Sequence, residues 1–371
     1  MTDTTQSYEP GTHPDLPPPV ATTGPIGWMR EHLFGSPLNI ILTLLSLYLL
    51  YLIVPGLLQW GIFDAVLSAG SREECWEIAD GACWALPAVR FDQFLYGFYP
   101  DHLIWRVHLL AVLFLLALVP VLWDNAPFRG KWLIYSCIFP VIGYFLLVGG
   151  LGLEPVETRK IGGFTLNVVI GVTGIAASLP LGILLALGRR SDMPIVRTLS
   201  VMYIEFIRGV PLITLLFVAS TMLNYFLPPG TTFDLLLRVL IMVTLFSSAY
   251  IAEVVRGGLQ AIPKGQVEAA DAMGLRYWQA MRLVVLPQAL KISIPGIVNT
   301  FIGLFKDTTL VVIIGLSDVI GIGRASLSDA KWQGLPEEVY VFTAILFFIC
   351  CFSMARYSTY LEKKLHTGHK R

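Results

Sequence analysis

The sequence predicts an all-α polytopic membrane protein with eight transmembrane helices. Three observations carry this. Apolar residues make up 55% of the 371 positions and charged residues 14%, with a mean hydropathy of +0.68, whereas a soluble domain is about a quarter charged. Eight stretches have the length and apolarity to cross a bilayer, which takes about 20 residues per helix. Runs such as LLAVLFLLALV over 109–119 do not alternate, so the strands of a membrane barrel are excluded. Lys plus Arg and Asp plus Glu are 26 each, which leaves no net field to recruit nucleic acid.

Residues 1–27 are rich in proline and polar filler and are expected to be a disordered tail, without the basic start and short apolar core of a signal peptide. The expected spans are 33–63, 107–123, 132–153, 161–188, 209–233, 235–255, 292–316 and 339–355. With the N-terminus in the cytoplasm, sixteen Lys or Arg fall in inside segments against six outside, and both termini, including the basic tail 366–371, lie inside. His366 and His369 belong to that solvated tail; no metal site is expected. The loop 64–103 then faces outward, where Cys75 and Cys83 form a disulfide if the compartment is oxidising. Cys137, Cys350 and Cys351 sit in apolar runs as small hydrophobes. The charged stretch 154–160 separates an N-terminal region of three helices, 28–153, from a core of five, 161–365. No internal repeat is evident.

The longest inside loop, 256–291, is neither apolar nor low in complexity. Pro263 suits the start of a short helix, Gly274 suits its end, and a second piece, 276–286, is expected to stop at Pro287. Ala269, Ala270 and the nearby Met273 offer a small flat face to a partner; the competing reading is an amphipathic loop resting on headgroups.

These residues resemble a known family. Glu268-Ala269-Ala270, Gly274 and Leu286-Pro287 look like the "EAA" loop of membrane subunits of binding-protein-dependent ABC importers. The flanking segments SAYIAEVVRGGLQAIPKGQ and LKISIPGIVNTFIGLFKDTTLVV, and YIEFIRGVPLITLL over 203–216, resemble the polar amino-acid permeases. The likeness covers 163–365, a type I five-helix core; the preceding three helices resemble the longer membrane subunit of general L-amino-acid importers. The resemblance implies a coupling helix, with Glu268, Ala269, Ala270 and Gly274 at the contact and the turn, and Leu286 and Pro287 at the end of the loop. It implies a cytoplasmic ABC ATPase dimer that holds ATP and Mg, a second homologous permease subunit in a heterodimer, and a periplasmic amino-acid-binding protein. This chain has no G-x-x-x-x-G-K-[ST] cradle, no HExxH, no GxSxG and no catalytic cluster, so it is expected to be no enzyme and to bind no cofactor.

Charged residues near spans are the pathway or gate candidates. Glu205 and Arg208, and Glu253 and Arg256, have the i,i+3 spacing of pairs on one helix face, either bracing the inner mouth or gating it. Lys306 and Asp307 are adjacent, point in different directions, and with Thr308 and Thr309 form a polar patch in an apolar span. That patch either lines the path of a zwitterionic substrate or belongs to an interhelix network. The other function class is an ion-gradient-driven secondary amino-acid transporter, which needs no ATPase.

Overall fold

The computed structural model describes residues 24–123, 126–222, 225 and 233–365. Residues 1–23 of the expected tail and the basic tail 366–371 lie outside the described residues. Positions 24–27, expected in the tail, already belong to a helix. In order the helices are α1 Gly24–His32, α2 Pro37–Leu58, α3 Arg72–Ile78, α4 Ala85–Val89, α5 Phe91–Tyr96, α6 Ile104–Leu122, α7 Arg129–Val148, α8 Gly163–Arg189, α9 Pro194–Gly209, α10 Leu212–Phe217, α11 Leu235–Gln260, α12 Lys264–Ala272, α13 Tyr277–Ala280, α14 Leu286–Asp307, α15 Val319–Ser326 and α16 Pro336–Leu365.

The chain forms two compact units, one of Met1–Val66 with Trp76–Ala82 and one of Leu67–Cys75 with Cys83–Arg371. In the first unit, Ser36 caps α2 by accepting from the Asn39 N–H at 3.1 Å, and Pro37 occupies the first turn, where its missing N–H costs nothing. None of the residues of α2 is buried, and it is apolar on every side, as suits a helix solvated by lipid.

In the second unit, α6 and α7 share a core with α8 and α11, because Val107, Leu110, Phe139 and Leu147 bury against the cluster of Leu166, Ile170, Val239 and Val243. A second cluster of Ala186, Ile251, Val255, Leu259, Met281 and Ala289 joins the other ends of α8 and α11 to the start of α14. Small residues let these helices approach. A Cβ at Gly258 would stand 2.0 Å from Ser293 Oγ and 2.5 Å from the Ala289 carbonyl, so only hydrogen fits between α11 and α14.

Among the described residues seven helices are long and apolar enough to cross a membrane; of the remaining expected span, 209–233, the start forms the second arm of a bent helix pair, and 223–224 and 226–232 lie outside the described residues. Pro194–Gly209 and Leu212–Met222 meet at 100°. Pro211 explains the break: it lacks an N–H and drives Val210 out of the helical region, to φ −108° and ψ 131°. The span expected at 292–316 is also longer. Helical structure runs unbroken from Tyr277 to Ile314, through a π segment at Met281–Val285 and a 3₁₀ turn at Thr308–Ile314. Pro287 sits in the first turn of α14 directly after the π segment, so it does not end the helix, and Leu286 and Pro287 are not the end of the loop.

Candidate functional site

The elbow between α11 and α14 is built by its own sequence. Pro263, with extended ψ of 138°, precedes α12, and Gly274 follows it at φ +75°. The Gly274 N–H donates to the Asp271 carbonyl at 2.9 Å and the Leu275 N–H to the Ala270 carbonyl at 3.2 Å. These are the two bonds of a Schellman ending, which needs a left-handed residue at this place. The chain then turns into α13, where the Arg276 N–H is met by Gln279 Oε1 at 3.0 Å. Gln288 Nε2 donates to Gln266 Oε1 at 3.0 Å and ties α12 to α14. The elbow is therefore fixed at both ends and by a cross-tie.

The faces of α12 are unequal. Ala270 is only 1% exposed and packs into the chain itself, so it is not available to a partner; this corrects the expectation drawn from the EAA triplet. Glu268, Ala269 and Gly274 are exposed, and Met273 is 70% exposed. Tyr277 and Trp278 of α13 are also exposed. Every residue of α12 but Ala270 is exposed, so Ala269 and Met273 offer small apolar surface flanked by the acids Glu268 and Asp271.

At the adjoining end of the bundle, three arginines converge on one carboxylate. Glu253 meets Arg189 at 2.8 Å, Arg256 at 3.0 Å and Arg208 at 3.6 Å, and its side chain is 16% exposed. The Glu253–Arg256 pair forms as its spacing suggests. The Glu205–Arg208 pair does not: Glu205 bonds Arg189 at 2.8 Å, while Arg208 lies over the Tyr250 ring at 5.7 Å. The reason is the last turn of α8, which brings Arg189 between α9 and α11. Sequence spacing along one helix cannot reveal this third-helix partner.

The other end of the bundle holds a second network. Asn167, Thr308 and Asp318 are fully buried. Asn167 Nδ2 donates to Thr308 Oγ1 at 2.9 Å and to Asp318 Oδ2 at 3.3 Å, and its Oδ1 accepts from the Val319 N–H at 3.1 Å. Asp318 caps α15 by accepting from the Gly321 N–H at 2.9 Å. Burial pushes its carboxyl above the usual carboxylate range, against the opposing effect of the Gly321 and Asn167 bonds. Thr308 is therefore a network member rather than a wall of a path. Thr309 donates to the Lys306 carbonyl at 2.9 Å, Lys306 is exposed, and Asp307 is half-buried. Asn167 and Asp318 escaped the sequence reading; the signals were a lone Asn in an apolar span and an Asp ahead of a glycine-containing helix start.

The loop 64–103 contributes a third feature. Cys75 and Cys83 are joined in a disulfide and are both fully buried. The Cys83 N–H donates to buried Glu338 Oε1 at 3.1 Å, Arg72 bonds the Gln333 carbonyl at 2.6 Å, and Arg90 meets Asp329 at 2.5 Å. These bonds fasten the loop to the α15–α16 connection.

Residues 178–367 match the family described as "Binding-protein-dependent transport system inner membrane component". The chain belongs to this family. Its relatives include the inner membrane amino-acid ABC transporter permease protein YhdY of Escherichia coli K12, 49% identical over 96% of this chain and 97% of the relative. The glutamate/glutamine/aspartate/asparagine transport system permease protein BztC of Rhodobacter capsulatus is 47% identical over 95% of this chain and 96% of its own length. The probable amino-acid ABC transporter permease protein YckA of Bacillus subtilis is 34% identical, but covers 54% of this chain with 86% of its own length. The long relatives thus match nearly the whole of this chain. The shorter one shares about half of this chain.

Proposed function

We propose that this chain is the transmembrane subunit of an ATP-driven amino-acid importer in the bacterial inner membrane. It forms half of the translocation pathway and is driven by a separate cytoplasmic ABC ATPase. The observation that carries this reading is the elbow: a rigid turn with a Schellman ending, an outward face of Ala269 and Met273, and direct continuity into a long spanning helix. The amino-acid class is supported by the printed functions of the relatives YhdY and BztC. The ATPase works as a dimer with its own ATP and Mg. The second half of the pathway comes from a homologous permease subunit, and a periplasmic binding protein delivers the amino acid. Both termini lie in the cytoplasm. Closing of the ATPase pushes α12, and α14 carries the motion toward the patch at Lys306, Asp307 and Thr309; the Glu253 cluster joins α8, α9 and α11 as one body while this happens.

The test is reconstitution of the complex purified through this chain into proteoliposomes, with uptake measured against a panel of amino acids. ATP-dependent uptake that persists after ion gradients are collapsed supports the importer. Uptake by this chain alone, driven by a gradient, supports the secondary transporter instead.

A further inference from the structure

A cavity of about 710 Å³ lies between the α6–α7 pair and the core helices α8 and α11. Its walls include Leu110 and Phe114 of α6, Phe139 and Leu147 of α7, Val168 of α8 and Leu240 of α11. Almost every lining atom group is apolar. The polar lining residues are Tyr144, Thr165, Thr173 and, paired at one margin, Tyr96 and His108, whose Oη and Nε2 are 2.9 Å apart. All four helices line the cavity with the half nearest the disulfide-closed loop: 107–115 of α6, 139–148 of α7, 164–173 of α8 and 236–240 of α11. The cavity therefore occupies one leaflet's depth. Its rim residues Leu115, Val141 and Leu237 are exposed, so it opens sideways.

We infer that this cavity is a binding site for an acyl chain of a bilayer phospholipid. Water does not fill it, since an apolar space without two to four polar partners stays dry. Left empty, its lining side chains lose their contacts on one side. At this depth the surrounding solvent is hydrocarbon, and a sideways opening admits it. The Tyr96–His108 pair beside an apolar slot matches an amphiphile, whose polar end stays near the interface while its chain enters between the helices. Among the described residues α7 packs only sparsely against α8, so the lipid acts as a packing element that reinforces the join between the α6–α7 pair and the core.

The experiment uses the full-length chain in vesicles of phosphatidylethanolamine and phosphatidylglycerol. A fraction of the lipid carries a diazirine on its acyl chain. Photolabelling is expected to concentrate on 107–115, 139–148 and 164–173 relative to the fully lipid-exposed α2. After detergent extraction, the wild-type chain is expected to retain phospholipid in native mass spectra. The double variant Ala111→Trp with Val168→Phe fills the cavity and is expected to retain about tenfold less, with an unchanged unfolding midpoint showing that it folds. Equal labelling of α2 and the cavity segments, or equal retention by the filled variant, overturns the inference. So does a cross-link from Ala111→Cys to another polypeptide, which would make the cavity a protein interface.

Discussion

At the residue scale, Gly274 is the most constrained position of the elbow. A Cβ there meets nothing within 4 Å, so its requirement is conformational and not steric crowding. A β-branched residue at φ +75° costs about 1–2 kcal/mol, and the turn relaxes by changing the direction of α12. Gly274→Val is therefore expected to insert normally and to let the ATPase hydrolyse ATP without matching uptake; normal uptake would count against the lever. Ala269 and Ala270 separate two effects that the motif merges. Ala270→Trp overpacks a buried site and lowers the unfolding midpoint, whereas Ala269→Trp is expected to leave the midpoint unchanged and to abolish co-purification of the ATPase. The Glu253 cluster offers a second contrast. Glu253→Gln removes the carboxylate shared by three arginines and is expected to destabilise the detergent-solubilised protein by about 2–3 kcal/mol. Glu205→Gln touches a carboxylate that is 55% exposed and is expected to cost less than about 1 kcal/mol. Equal effects in thermal unfolding would show that the convergence on Glu253 is not what holds the helices.

At the element scale, the legible parts were those governed by length and local chemistry. Long apolar runs gave the spans, and proline and glycine marked the elbow. Three features were not legible because their causes lie off the local chain. Pro211 marks a 100° bend between Pro194–Gly209 and Leu212–Met222, and the sequence reading, which began its span at 209, missed the first arm. The π segment at Met281–Val285 lets helix pass through Pro287, which a simple proline rule reads as a stop. Arg189 takes Glu205 away from Arg208 because tertiary packing brings α8 between two other helices. The Asn167–Thr308–Asp318 network carries a pH signature of its own. Asp318 has a folded value raised above the unfolded value of about 3.9, so the native state holds this proton to higher pH than the unfolded chain. Stability from this group is present below about pH 4 and is lost as pH rises through the folded value. Asp318→Asn keeps a capping acceptor and removes the titration, so its stability advantage over wild type is expected to grow with pH across that window. An unchanged difference between the two unfolding midpoints over a pH series would contradict the burial of a titrating carboxyl.

At the scale of the whole molecule, the family membership, the long relatives and the continuous helix from Tyr277 to Ile314 support one mechanical reading. Under the proposed function, force enters at the surface elbow and leaves at the opposite end of the bundle, where the Asn167–Thr308–Asp318 network holds the start of the 3₁₀ turn. The disulfide-closed loop fastens the connection between α15 and α16 at that opposite end. Replacing Cys75 and Cys83 by Ser releases an eight-residue separation and is expected to cost about 2 kcal/mol through the unfolded chain, read as a lower unfolding midpoint with unchanged ATPase recovery. The most direct measurement is site-specific cross-linking from Ala269→Cys in membrane vesicles that contain the complete complex. A covalent adduct with the ATPase subunit, whose yield changes with bound nucleotide, is the expected result. Labelling of Ala269→Cys by a headgroup-anchored lipid probe with no adduct to a second protein would contradict the coupling of this elbow to a motor.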